Sequence, residues 1–255
     1  VGEEHSKTKA IIIYTSADSV LQLAANEAVI PLEELYRVCE IARRITLENP
    51  DWQVGRIIAR PFVGTNKDNF VRTANRHDYA VKPFAKTALD YLHEAGYKVI
   101  SIGKIYDIFD GQGIDESNKT KSNQHGMDLT IQFTDRDFTG LCFVNLVDFD
   151  ALYGHRRNAL GYAEAVEEFD RNLAIMLPKL RDDDLLIITA DHGNDPTHKG
   201  TDHTREHTPL LVYNKKIVGR DLGIRETYAD IAATICENFQ VKSPALGTSF
   251  LNLLK

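Results

Sequence analysis

Residues 185–213 read LLIITADHGNDPTHKGTDHTREHTPLLVY. The run Leu185–Ala190 is apolar and β-branched without alternation, the pattern of a strand buried on both faces, and it ends on Asp191, His192 and Gly193. A second short run, Pro209–Tyr213, closes the stretch. Between the two lie His192, His198, His203 and His207 with Asp191, Asp195 and Asp202, so four of the chain's 9 histidines fall in one segment. A buried strand that spills into carboxylates and imidazoles points to an α/β sheet, where ligands bind beyond the carboxyl ends of the strands.

The same texture extends outward. Lys98–Gly103 and Gly140–Val147 read as strands, and residues 85–96, 162–177 and 226–239 as amphipathic helices. In the helix at 162–177 the stripe is Tyr162, Val166, Phe169, Leu173 and Met176, and Gly96 suits the position just past the helix at 85–96. Strands alternating with helices predict a mostly parallel sheet covered by helices. A smaller α/β unit precedes it, with a boundary near residue 80: a strand at 11–16, a helix at 30–46 striped by Leu32, Leu35, Cys39, Ala42 and Ile45, and a strand near 52–64 interrupted at Pro61 and Gly64. The polar stretch 65–83 reads as loop, as does most of the chain between Gly103 and Gly140.

Composition narrows the function classes. The chain has 255 residues, is 43% hydrophobic and 26% charged, and carries a formal net charge of −7. That balance excludes a basic nucleic-acid surface, and no apolar run approaches the roughly 20 residues that span a bilayer. Cys39, Cys142 and Cys236 each sit in an apolar periodic segment, as buried reduced thiols do, which predicts a cytoplasmic protein without disulfides.

Three strand ends carry polar groups: Lys104 after 98–103, Asp148, Asp150 and His155 after 140–147, and Asp191-His192 after 185–190. Carboxylate oxygen and imidazole nitrogen suit Mn²⁺, Zn²⁺ or Fe²⁺, and no cysteine is near to make a closed zinc site. A pair of divalent ions is the usual clamp for in-line phosphoryl displacement. Taken singly, an Asp or His at a loop start is more often a cap or turn residue, and Asp195, Asp202, His198 and His207 are read that way.

The segments TADHGNDPTHKGTDHTREHTPLLVY, NLVDFDALYGHRR, YTSADSVLQLAANEAVIPLEELY and RPFVG with RTANRHDYAVKPF, in that family's order along nearly the whole chain, closely resemble the bacterial phosphopentomutases, a branch of the alkaline phosphatase superfamily. The resemblance implies an alkaline-phosphatase-like core of mostly parallel sheet, here its C-terminal part at residues 81–255, and an inserted α/β cap, most of it at 1–80. It implies two divalent metal ions, expected to be Mn²⁺: one held by Asp150, His155 and His203, the other by Asp191 and His192 with an aspartate on the first strand of the fold. It assigns the sugar-phosphate grip to Ser16, Asp18, Arg56 and Arg72 of the cap, with Arg60 the near alternative to Arg56, and to Lys104 of the core. The activity implied is interconversion of ribose or deoxyribose 1-phosphate and 5-phosphate, through a phosphothreonine enzyme and a 1,5-bisphosphate, with a sugar bisphosphate as activator. Its partners are small pentose phosphates, with no nucleic acid and no membrane.

The pattern departs from that family in one place. The chain opens at Val1 on VGEEHSKTKA without Met, and neither a first-strand aspartate nor a nucleophilic threonine segment precedes the cap motifs. No catalytic nucleophile is therefore assigned within these residues, and the nucleophilic threonine is expected upstream of Val1. The expectation is a C-terminal portion that works with a missing N-terminal segment of the same polypeptide and is inactive alone. Two other readings share the motifs: a metal-dependent phosphohydrolase or phosphoglycerate-mutase relative on the same scaffold, and a non-catalytic metal-binding fragment.

Overall fold

The strand at the heart of the N-terminal unit is one that periodicity passes over. In the computed structural model, which describes residues 1–15 and 19–254, Val20–Asn26 forms β2, buried at nearly every position. Its Val-Leu-Gln-Leu-Ala-Ala-Asn sequence lacks alternation because both faces are covered. The chain divides into two compact units, residues 1–82 with 107–110, and residues 83–106 with 111–255.

In the first unit, α1 (Gly2–Thr8) precedes β1 (Ile12–Thr15) and β2, and α2 (Leu32–Glu48) crosses over to β3 (Arg56–Val63). Val1 takes the N-cap position of α1, its carbonyl accepting the His5 N–H at 2.8 Å. β2 and β3 pair in parallel, as a helical crossover requires, while β1 flanks β2 antiparallel. Two short strands, β4 (Val71–Arg72) and β5 (His77–Ala80), also pair antiparallel with β3. They occupy the stretch read as loop, because two- and four-residue strands with exposed charged positions carry almost no periodic signal. β3 runs unbroken through Pro61, which sits in register with Ala25.

α2 covers one face of this sheet, where Leu23, Ala25, Ile57 and Ala59 pack with Leu35 and Cys39. Burying large apolar side chains of this kind contributes roughly 1.5–3 kcal/mol each. Its buried stripe is Leu35, Cys39, Arg43 and Thr46, not the expected Ile45, which is 45% exposed. Arg43 tolerates burial by donating to the carbonyls of Val54 (2.9 Å) and Tyr79 (3.3 Å) and to Thr46 Oγ1 (2.9 Å). The buried His5 donates from Nδ1 to Ala10 O (2.7 Å) and accepts the Asn26 N–H at Nε2 (2.9 Å), which fastens α1 to β2.

The second unit is built on β6 (Lys98–Ile102), entered from α3 (Ala88–Glu94) through Gly96 at φ 83°. β6 pairs in parallel with β7 (Glu116–Asn118) and β8 (Gly140–Val144). A single turn, α4 (Ile105–Ile108), and a full helix, α5 (Asn123–Phe133), lie in the stretch read as loop. Gly126 and the polar residues around it hide the α5 pattern, although Ser122 caps the helix by accepting the His125 N–H (3.2 Å).

α6 (Ala159–Met176) buries Gly161, Ala165, Asn172 and Met176, while Val166 of the expected stripe is 48% exposed. β9 (Leu186–Thr189) and β10 (Leu210–Tyr213) form an antiparallel pair joined by the Asp/His loop, and α7 (Ala229–Asn238) follows. The class is α/β with parallel ladders at β2–β3 and about β6; in the second unit β9 and β10 pair antiparallel because no crossover helix separates them. All three cysteines are free thiols, Cys39 and Cys236 buried and Cys142 only partly so. Among the described residues no helix is long and apolar enough to cross a membrane.

Candidate metal centre

Two polypeptide turns at strand ends make the site. The first leaves β8 and continues as a π-helical turn, Phe149–Gly154, closed by the His155 N–H donating to Asp150 O at 3.0 Å. That one bond ties the backbones of two expected ligands together. Asp148, just before it, is engaged elsewhere: its carboxylate accepts the Asn123 N–H (2.7 Å) and its own N–H donates to Asn123 Oδ1 (2.9 Å), pinning the exit of β8 to the start of α5.

The second turn leaves β9 at Thr189. Gly193 bridges to Thr204, whose N–H donates to Gly193 O at 3.0 Å, so the loop doubles back and His192 and His203 flank the bridge. Their rings stack with centroids 3.6 Å apart and planes 19° apart. His203 also stacks on His155, at 4.8 Å and 30°.

Asp150 lies at the focus. Its Oδ1 is 3.3 Å from Nε2 of both His155 and His203. The donor atoms of these three residues fall within 4.8 Å of one another, the one such set of three among the described residues. Ligands about 2.1 Å from a common ion stand at most about 4.2 Å apart, so a small contraction would seat one. His155 donates from Nδ1 to Thr201 O (2.5 Å), which turns Nε2 toward Asp150. One carboxylate and two imidazoles, partly exposed, fit a divalent ion of the Mn²⁺ or Zn²⁺ type.

Asp191 and His192 form a more open pair beside this triad. Asp191 Oδ2 is 3.7 Å from His192 Nε2, and the Asp191 side chain is 75% exposed. Around them, Asp195 makes a tight turn, its Oδ1 accepting from Thr197 N–H (2.8 Å) and Oγ1 (2.7 Å), bonds that hold its carboxyl below the usual range. His198 and His207 are exposed loop residues. Burial first, then the charges of Glu206 and Asp150, push the Tyr162 phenol up.

The remaining expected residues lie elsewhere. Lys104 is exposed just past β6, and the register Ile102 with Val144 puts it at the same sheet edge as the exit of β8. There Gly103 has φ 85°, and a Cβ would collide with the Asn145 carbonyl oxygen, so the chain can turn only with glycine. Ser16 and Asp18 lie outside the described residues. Val1, upstream of which the nucleophilic threonine is expected, is 82% exposed at the head of α1 in the first unit.

In the first unit, cross-strand register sets Tyr14, Gln22, Arg56, Arg60, Arg72 and Asp78 on the sheet face opposite α2. Asp78 takes a two-pronged contact from Arg76, 2.6 Å for each, and a longer one from Arg56 at 3.6 Å. Arg60 instead donates to the amide oxygen of buried Gln22 (2.9 Å). Burial, then the charges of Arg76 and Arg72, hold its pKa below the ordinary guanidinium value. Arg76 thus joins a cation cluster of which motif resemblance singled out Arg56 and Arg72, with Arg60 the alternative to Arg56. The parity of β3 gives Arg56 and Arg60 one face, so both alternatives belong to the same cluster.

The profile of the Metalloenzyme superfamily matches residues 15–243. The chain belongs to this superfamily. Membership accords with divalent-metal binding at the Asp150, His155 and His203 set. Among solved structures, it is similar in fold to Leishmania mexicana phosphoglycerate mutase crystallised at low cobalt concentration, with 18% identity, a TM-score of 0.50, and coverage of 66% of this chain and 39% of that one. A protein from Pyrococcus horikoshii also matches, at 16% identity and a TM-score of 0.44 over 55% of this chain and 38% of that one. The matched region therefore spans well under half the length of either.

Proposed function

We propose that the protein carrying this chain is a phosphopentomutase, interconverting pentose 1-phosphate and 5-phosphate through a 1,5-bisphosphate and a phosphorylated enzyme threonine. That threonine is not among the motifs assigned in this chain, and the proposal places it upstream of Val1. The observation that carries the metal-dependent part is the convergence of Asp150, His155 and His203, with His192 stacked on His203 and Asp191 beside it. Asp150, His155 and His203 would hold one divalent ion, and Asp191 and His192 would contribute to a second. Bound ions supply charge stabilisation to the oxygens of the transferring phosphoryl group.

The sugar-phosphate part rests on the motif resemblance and on the arginine face of the first unit. Arginines grip a phosphate through paired, charge-assisted bonds, and Arg60 is held by an amide rather than by a carboxylate. We assign phosphate recognition to Arg56, Arg60 and Arg72, with Ser16 and Asp18 from the neighbouring motif. Lys104 would add a point charge at the sheet edge of the core. Mn²⁺ as the native ion, and a sugar bisphosphate as activator, belong to the same proposal.

The test is a comparison of three reactions in the intact protein with Mn²⁺ and a catalytic amount of sugar 1,5-bisphosphate. Isomerisation of ribose 5-phosphate is expected to exceed release of inorganic phosphate and isomerisation of phosphoglycerate. Phosphate release as the main reaction would make the protein a phosphohydrolase and sink the mutase reading.

A further inference from the structure

Arg157 is placed in a way that metal ligation alone does not explain. It sits at φ 53°, a left-handed conformation that costs energy for any residue other than glycine. Its guanidinium forms no ion pair among the described residues and directs its donors to five acceptors. Nε donates to Gly200 O (2.5 Å). Nη1 donates to Gly154 O (3.1 Å), Asn194 Oδ1 (2.7 Å) and Asp195 O (2.8 Å), and Nη2 to Asp202 O (2.5 Å).

Those acceptors belong to the two turns that carry the candidate ligands. Gly154 immediately precedes His155, and Asp202 immediately precedes His203. Asn194, which is 7% exposed, passes the contact onward: its Nδ2 donates to Asp150 Oδ1 at 2.6 Å. The orientation of the Asn194 amide is thereby set from both ends, since a guanidinium can only donate and a carboxylate only accept. Gly154 leaves the room this requires, because a Cβ there would fall 2.5 Å from Asn194 Cγ and Nδ2.

We propose that Arg157 and Asn194 are positioning residues for the metal centre. Arg157 clamps the loop bearing His203 onto the turn bearing His155, and Asn194 aims the Asp150 carboxylate between the two imidazoles. Lysine could not substitute, having all its donors on one atom where the guanidinium fork reaches several chain segments. The inference rests on reading Asp150, His155 and His203 as ligands, and it is independent of which phosphate ester is turned over.

The experiment is Mn²⁺ titration followed by electron paramagnetic resonance, with the visible spectrum of the Co²⁺-loaded protein as the second readout. It uses the intact wild-type protein and the variants Asp150→Asn, Arg157→Lys and Asn194→Ala. Circular dichroism and the urea midpoint establish which variants are folded. Expected are a large loss of binding in Asp150→Asn, and in Arg157→Lys and Asn194→Ala a 10- to 100-fold weaker Mn²⁺ affinity, about the range for groups that orient ligands. The Co²⁺ bands should shift in both, a change that loss of general stability would not produce. Mn²⁺ affinity within about twofold of wild type and unchanged Co²⁺ bands in the folded variants would overturn the proposal while leaving the ligand reading intact. Undiminished binding in Asp150→Asn would overturn the ligand reading and this inference with it. Should Arg157→Lys not fold, Asn194→Ala decides, since it removes only the contact to Asp150 and one of the guanidinium bonds.

Discussion

Arg56 and Arg60 lie four residues apart on one strand face, yet they are differently engaged. Arg56 shares Asp78 with Arg76, whereas Arg60 is desolvated, fixed through its Nε by Gln22 and set near the charges of Arg76 and Arg72, which outweigh that of Asp78. On the proposed function a dianionic phosphate would relieve that repulsion, so Arg60→Ala should lower kcat/KM for pentose phosphates by about 10- to 100-fold, the worth of roughly 1.5–3 kcal/mol for a hydrogen bond to a charged group. Arg56→Ala should cost less, because Arg76 still pairs Asp78. Steady-state kinetics on the two variants checks the order; equal losses would remove the distinction. Cys39 offers a pH prediction at the same scale. It is fully buried, and burial, with the Glu40 charge adding to it, pushes the thiol up to about 12 from its ordinary value of 9.0. Between those pH values the unfolded chain releases a proton that the folded chain retains, so this contribution to stability is whole below about pH 9 and declines toward about pH 12. The urea midpoint should fall over that window, and less steeply in Cys39→Ala.

At the scale of elements, two devices hold helices where the sheets need them. α3 begins at Thr87, whose N–H (2.6 Å) and Oγ1 (2.9 Å) both donate to the Asp90 carboxylate three residues on. Thr87→Ala should cost about 1 kcal/mol in chemical denaturation, as lost caps do. α2 is held by Arg43, and Arg43→Met would keep most of the packing while leaving the carbonyls of Val54 and Tyr79 without their donor. A loss of about 2–3 kcal/mol is expected, larger than the capping loss because the lost bonds are charged and partly buried. Periodicity and apolar runs revealed most of the elements, among them β6, β9, α3 and α7, each with a continuous apolar face or run. β2 escaped because Gln22, Ala24 and Ala25 dilute the apolar, β-branched signal, α5 because glycine and polar residues interrupt it, and β4 and β5 because so few residues cannot display a period.

For the molecule as a whole, the metal centre should behave as a reserve of stability. Any ion that binds the folded state alone stabilises it by mass action, about 2.7 kcal/mol at a concentration roughly 100 times its Kd. Mn²⁺ should therefore raise the melting temperature of the unit containing Asp150, His155 and His203, and a chelator should reverse the rise. His203→Ala should abolish the Mn²⁺ effect; its side chain is only 32% exposed and its ring stacks on His155 and His192, so the metal-free midpoint should fall modestly as well. A Mn²⁺-dependent rise that survives in His203→Ala would remove that histidine from the site.

The sequence by itself determined the chemistry on offer: strands that end in Asp148-Phe149-Asp150 and Asp191-His192-Gly193, a histidine-rich loop, and arginines at β spacing. These are local facts, written in residue type and short spacing. Only the tertiary structure decided that Asp148 braces the start of α5 while Asp150 faces two imidazoles, that His203 folds back to stack on His192, and that Arg157 holds the two turns together. The reason is physical. Ligation requires donors within a few ångströms of one point, and that proximity is produced by backbone bridges and side-chain clamps between distant segments, which no linear pattern displays.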